Sequence, residues 1–309
     1  MDSYSQGRKN MSSVSLAQIR ENSVRSMKQA TEEALSLIGL SFSNKIKNVV
    51  IKANLCYYWD YSTGQTTDPR FTAGLIQLIR EKTANDVDIS IVESDASAMR
   101  CNYAFRMLGY EKLAKDHNVR LVNLSAHSYD KTRVMAGGQS FEIMVPHIIQ
   151  KADLKINVPK IKYTMEKIEL TCALKNIFGC NPYPKKFKYH PRLGEAIIAM
   201  NKAMKFDLHI IDGNIVSGIQ PRRLGLVMAS KDPVAIDFAA AKIAGMNPNR
   251  IKYLQLASKE GLGNKSFIPR GIPINYFKER YPKKNINKKL MAKAYSLATR
   301  AGLTKMIGV

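Results

Sequence analysis

Three apolar runs decide the fold: Asn48-Val49-Val50-Ile51, Val87-Asp88-Ile89-Ser90-Ile91-Val92 and Arg120-Leu121-Val122-Asn123-Leu124. None has helical periodicity, and each reads as a buried strand. Two helical segments separate them. The first, residues 68–81, has Asp68 placed to cap it and Pro69 at its first position. The second is expected over residues 103–115. A chain that alternates strand and helix in this way makes parallel neighbours, because a crossover must carry it back to the starting edge. The predicted class is α/β, a mostly parallel sheet flanked by helices.

Outward from this stretch, Leu16, Ile19, Val24, Met27, Ala30, Ala34 and Leu37 recur mostly at three or four, which predicts one amphipathic helix over 15–37, ended by Gly39. Residues 1–15 are polar and Ser-rich and read as a loose terminus. Further strands are expected at 133–134, 141–145, 154–158, 208–211 and 224–229. Further helices are expected at 166–176, 193–204, 234–244 and 251–260. No repeat or linker interrupts the chain before residue 270, so residues 1–269 are expected to form one α/β domain.

Residues 270–309 differ, with ten Lys or Arg against the single acid Glu279. On a helical projection Leu290, Met291, Ala294, Leu297, Ala298 and Ala301 share one face and Lys289, Lys293 and Arg300 the other. This basic amphipathic extension either docks on the core or attaches, through residues 283–305, to an anionic membrane surface.

The 309 residues carry 48 Lys and Arg against 25 Asp and Glu, a formal charge of +23, which favours polyanionic partners. Nucleic acid is one such class, but no helix-turn-helix or aromatic platform accompanies the charge. No apolar run approaches the ~18 residues that span a bilayer, and no signal peptide is evident, so a cytoplasmic location is expected. Cys56, Cys101, Cys172 and Cys180 form no Cys-x-x-Cys, and the five histidines form no His-Glu-x-x-His. They read as reduced thiols and scattered imidazoles, without an iron–sulfur cluster or a zinc site. No phosphate-loop, dinucleotide or nucleophile-elbow signature occurs either.

Ligands of open α/β sheets bind beyond the carboxyl ends of the strands. Those ends read Lys52-Ala53-Asn54, Glu93-Ser94-Asp95, Pro159-Lys160-Ile161-Lys162, Asp212-Gly213-Asn214 and Ser230-Lys231-Asp232-Pro233. The carboxylates suit an oxygen-loving cation such as Mg²⁺, and the lysines suit phosphate or carboxylate groups. The bland alternatives are a helix cap for Asp232, a turn for Asp212, solvent exposure for the lysine pair, and a helix-dipole partner for Lys175.

The same motifs, with Ala173-Leu174-Lys175-Asn176-Ile177-Phe178-Gly179 and Ala229-Ser230-Lys231-Asp232-Pro233-Val234-Ala235-Ile236-Asp237, resemble the domain-of-unknown-function family 362 over about residues 45–263. That family is largely uncharacterised. The resemblance implies the α/β fold, and many members carry a ferredoxin-like segment with two four-iron clusters. This chain lacks the cysteine runs for such clusters. Tyr163-Thr164-Met165 stand where members usually have a histidine near the lysine pair, and Gln220-Pro221 replace a Gly-Pro.

The expected site binds, and by extension acts on, an anionic phosphorylated or carboxylated metabolite. Lys52, Asn54, Lys160, Lys175 and Asn176 would hold it. Asp212, Asp237 and Lys162 would carry any chemistry, and Glu93 and Asp95 any metal. The competing class is a non-catalytic protein recruited to membranes by its tail.

Overall fold

In the computed structural model, which describes residues 11–83, 86–163, 168–218 and 220–282, Val49 and Ile51 pack into one hydrophobic cluster and Val50 into another. Alternation along a strand thus serves two covered faces, which is why these runs are apolar throughout. The chain forms β1 (Ser12–Gln18), α1 (Val24–Leu37), β2 (Asn48–Lys52), α2 (Pro69–Lys82), β3 (Asp88–Glu93), α3 (Cys101–Met107), α4 (Tyr110–Asp116) and β4 (Arg120–Asn123). A hairpin of β5 (Tyr129–Ala136) and β6 (Gln139–Pro146) follows, then α5 (His147–Gln150), β7 (Leu154–Asn157) and the short pair β8 (Lys162–Tyr163) and β9 (Leu170–Thr171). Then come α6 (Ala173–Phe178), α7 (Leu193–Met204), β10 (Leu208–Val216), β11 (Arg222–Ser230), α8 (Pro233–Ile243), α9 (Lys252–Lys259), β12 (Phe267–Gly271) and α10 (Ile274–Arg280).

Eight strands make the main sheet in the order β12-β1-β11-β10-β7-β2-β3-β4. Within it only β11 runs against the others, pairing antiparallel with β10 and with β1. The expected mostly parallel α/β architecture is therefore observed. Helices α1–α4 cover one face through Ala17, Ile51, Ile89, Ile156 and Ile210. Helices α6–α10 and the β5–β6 hairpin cover the other through Leu16, Val50, Ile211 and Met228.

Several expectations need correction. The helix read over 15–37 begins only at Val24, where Ser23 caps it by accepting from the Ser26 amide, and residues 12–18 are β1. Leu16 and Ile19 happen to continue the helical spacing, yet Val14 and Leu16 face one cluster and Ala17 and Ile19 the other. The helix over 103–115 is two helices, broken at Gly109, whose φ of +81° is left-handed. Within the segment read as a helix over 166–176, Leu170 and Thr171 are β9, and the helix starts at Ala173.

The strand β12 contains Pro269, which removes a ladder donor, and it sits at the sheet edge, where that loss is tolerated. It pairs in parallel with β1, and Phe277 and Tyr281 beyond it are buried in the core. The basic helix read over 289–301 and the membrane segment 283–305 lie outside the described residues.

Candidate functional site

The register of the parallel strands sets the site. Lys52, the last residue of β2, pairs with Asn157, the last of β7, and Asn157 pairs with His209 of β10. These three polar residues each follow an apolar one, and α6 lies over them. All three are completely or almost completely buried, so every polar atom needs a partner.

They form a connected chain of hydrogen bonds. The Lys162 ammonium donates to Asn54 Oδ1 at 2.7 Å, and Asn54 Nδ2 donates to Asn176 Oδ1 at 2.8 Å. Asn176 Nδ2 donates to Asn157 Oδ1 at 2.7 Å, and Asn157 Nδ2 lies 3.0 Å from His209 Nδ1. With Asn157 donating, that ring nitrogen must accept, so His209 is neutral with its proton on Nε2. Burial lowers its pKa to about 3, in keeping with that state. The donor-only lysine at one end and the accepting imidazole at the other fix the orientation of all three asparagine amides.

At the centre stands the ion pair of Lys52 and Glu93, 2.8 Å apart and almost wholly buried. Lys52 Nζ also donates to the Ala53 carbonyl at 2.6 Å and reaches Asn176 Oδ1 at 3.4 Å. Glu93 accepts from the backbone amides of Leu55 and Ser94 at 3.2 and 3.0 Å. Gly179 closes the space above. A Cβ there would lie 3.0 Å from Lys52 Nζ and 3.2 Å from Glu93 Oε1.

A second buried pair adjoins the first. Lys160 Nζ lies 3.0 Å from Asp212 Oδ2, and Asp212 accepts from the backbone amides of Asp68 at 2.9 Å and Asn214 at 3.0 Å. Asp68 caps α2 and binds Arg70 at 2.8 Å. Burial raises the Asp68 pKa, with Arg70 opposing and Asp212 adding to the rise. The loop after β2 is strapped over these ends: Thr67 Oγ1 donates to Val158 O, and Gly64, with φ +70°, lies so close to the Ser217 backbone nitrogen that a Cβ has no room.

Two lysines differ from Lys52 and Lys160. Lys162 donates to Asn54 and to the Gln65 carbonyl at 3.0 Å, and Lys186 donates to Ser94 Oγ at 2.5 Å and to the Gly179 carbonyl at 3.5 Å. Among the described residues neither has a carboxylate within ion-pair distance. Burial lowers both from the ordinary lysine range. The neighbouring Lys160 adds to the fall at Lys162, and Cys56 and Glu93 oppose it. Lys186 falls to about 8, with Glu93 opposing and Lys52 adding. Asn181, in the loop between Gly179 and Lys186, is fully buried with no partner for its Nδ2.

The structure thus brings Lys52, Asn54, Glu93, Lys162 and Asn176 into one network, with Lys160 and Asp212 beside it. Lys175 is half-buried in the last turn of α6. Asp95 lies apart from the pair: its Oδ1 accepts from the Cys101 amide at 2.8 Å and from Asn123 at 3.2 Å. Asp232 is the cap of α8, as the Asp-Pro order implies. Asp237 sits one turn into α8 and caps α6 instead, accepting from the amides of Ala173 at 2.7 Å and Leu174 at 3.1 Å. Among the described residues no group of three or more His, Cys, Asp and Glu is arranged to hold a metal.

Asn157, His209, Ser94 and Lys186 were not legible as site residues. Asn157 had one signal, a polar residue set between the apolar Ile156 and Val158. Lys186 had none, since Pro184-Lys185-Lys186-Phe187-Lys188 reads as a solvated basic loop.

Residues 49–242 match the family model described as "Domain of unknown function (DUF362)". A thylakoid-associated protein of Synechocystis sp. is 35% identical over 125 residues, covering 36% of this chain and 38% of that protein. This chain therefore spans well under half of that curated relative. The apoprotein of lactate racemase from Thermoanaerobacterium thermosaccharolyticum superposes with a TM-score of 0.45 at 12% identity, over 77% of this chain and 58% of the other.

Asp237 yields a prediction with a definite sign. Burial raises its carboxyl to about 7, with Cys172 and the two amides opposing. The folded protein then holds a proton that the unfolded chain releases near its ordinary value of 3.8, so this group's contribution to stability is full below about pH 4 and is lost as pH rises to about 7. The difference in unfolding free energy between wild type and Asp237→Asn, measured by urea titration, is expected to shrink across that window and stay level above it. A difference independent of pH would contradict the assignment.

Proposed function

The chain belongs to the DUF362 family, and on that premise we propose that it binds a small phosphorylated or carboxylated molecule at the carboxyl ends of β2, β3, β7 and β10. The observation that carries this reading is a charge imbalance. Four lysines gather there, Lys52, Lys160, Lys162 and Lys186, and among the described residues two carboxylates answer them, Glu93 and Asp212. Asp68 is already matched by Arg70.

Holding an ammonium away from water without a counter-ion costs free energy, and this is why Lys162 and Lys186 titrate low. A fold that keeps two such groups beside one buried ion pair has a use for an arriving anion. The donor-rich surroundings fit the same ligand class: the asparagine chain presents Lys162, and Asn181 has an amide N–H to spare. The reading revises the expectation for Lys52 and Lys160. Their charges are spent within the fold, and they serve as scaffold for the other two.

The test is thermal unfolding in the presence of inorganic phosphate and of small dicarboxylates. Wild-type protein is expected to melt several degrees higher with a bound anion, as mass action requires of a ligand well above its Kd. Lys162→Met and Lys186→Met are each expected to remove most of that shift while retaining the native circular dichroism. An unchanged shift in both variants would refute the site.

A second reading, attachment to an anionic membrane, is favoured by the description of the Synechocystis relative as thylakoid-associated. Tyr57, Trp59, Tyr103 and Met107 are exposed, and the Arg100 amide donates to Tyr58 Oη, tying the loop that carries Tyr57 and Trp59 to the start of α3. Such residues suit an interface between water and lipid. Among the described residues no helix is long and apolar enough to cross a membrane. Each basic side chain near an anionic surface contributes ~1 kcal/mol. The full chain carrying Lys283→Gln, Lys284→Gln, Lys288→Gln, Lys289→Gln and Lys293→Gln is therefore expected to pellet far less with phosphatidylglycerol vesicles than wild type. Equal pelleting would remove the basic tail as the attachment.

A further inference from the structure

We propose that Lys186 is a nucleophilic amine that captures the carbonyl carbon of an anionic aldehyde or ketone as an imine. The inference deepens the anion-site reading and rests on it, by naming a carbonyl group in the ligand and the atom that bonds to it.

Lys186 Nζ is held by two neutral acceptors, Ser94 Oγ at 2.5 Å and the Gly179 carbonyl at 3.5 Å, and by no carboxylate among the described residues. The groups that face it are Glu93, Lys52, Cys180 and Cys101. Glu93 is itself bound to Lys52, so its charge is largely cancelled, and the Lys52 ammonium opposes a second positive charge nearby. Desolvation beside another cation is the setting in which a lysine becomes a nucleophile. The shift of Lys186 to about 8 agrees with the geometry.

Access separates Lys186 from Lys162. The Lys186 side chain enters the site from the surface: the residue as a whole is half-buried and the next one, Phe187, is exposed. Lys162 is shut in and keeps its donors on Asn54 and Gln65. It remains as the charge that attracts the acid group.

The step balances without an oxidant. The neutral amine forms a C–N bond to the carbonyl carbon, and the nitrogen gives up a proton as the oxygen gains one. Loss of that hydroxyl together with the nitrogen's remaining hydrogen, as water, then leaves C=N. Ser94, whose hydroxyl donates to the Gly179 carbonyl and accepts from Lys186, is placed to pass the proton.

The test uses the full chain and pyridoxal phosphate, an aldehyde carrying a phosphate, with borohydride to trap the imine and mass spectrometry to locate it. Lys186 is expected to label about tenfold or more faster than the exposed Lys115 at pH 7.5, because a low pKa leaves far more free amine. Inorganic phosphate is expected to slow the reaction. Lys186→Arg, which keeps the charge and cannot form the imine, is expected to lose this adduct. Labelling of Lys186 no faster than Lys115, with the melting shift intact, overturns the amine alone. Equal labelling by pyridoxal without the phosphate, together with no melting shift, overturns the anion site and leaves the reactive amine standing.

Discussion

The ion pair of Lys52 and Glu93 organises everything around it. Two charges removed from water are stabilised only when their geometry is good and the remaining donors and acceptors are matched. Here that requirement draws in the Ala53 carbonyl, the amides of Leu55 and Ser94, and the amide oxygen of Asn176. These groups lie in the loop after β2, in the loop after β3 and on α6, so one pair fixes the positions of β2, β3 and α6 at once. The absence of a side chain at Gly179 lets the backbone come down onto the pair.

From that centre the polar network runs inward as an ordered chain of amides and outward to two ammonium groups. The inward part is fully matched except for His209 Nε2, a donor without a partner. The outward part is short of negative charge. These two properties have different consequences. A matched buried network rigidifies and specifies a unique arrangement, whereas a surplus of buried positive charge costs stability until a counter-ion arrives. Stability given up at one place in an otherwise consistent fold is a mark of function.

The sheet was legible because both its faces are covered. Apolar runs such as Val49 to Ile51 follow from burial on two sides, and Asp68 with Pro69 marks the start of α2. What failed were segments where two patterns coincide, as at Leu16 and Ile19, or where an edge strand carries a proline, as at Pro269. The convergence of the first four polar strand ends was also legible, since parallel strands deliver their last residues to one rim; Ser230-Lys231-Asp232 ends β11, which runs the other way, and lies at the opposite edge. Which lysine is neutralised was not. Lys52, Lys160 and Lys162 are the same residue type at equivalent places in sequence, and only the positions of Glu93 and Asp212 across the sheet distinguish them. Lys186 turns inward onto the Gly179 carbonyl and onto Ser94, and Ser94 is far from it in the chain.

The central claim is that the Lys52–Glu93 pair carries the strand-end architecture, and a double-mutant cycle on unfolding free energy tests it most directly. Lys52→Met and Glu93→Gln are each expected to cost about 3–5 kcal/mol, because each leaves a buried polar group unmatched. The double variant is expected to cost clearly less than the two together. Additive losses, or single losses below about 1 kcal/mol as for an exposed pair, would contradict the account.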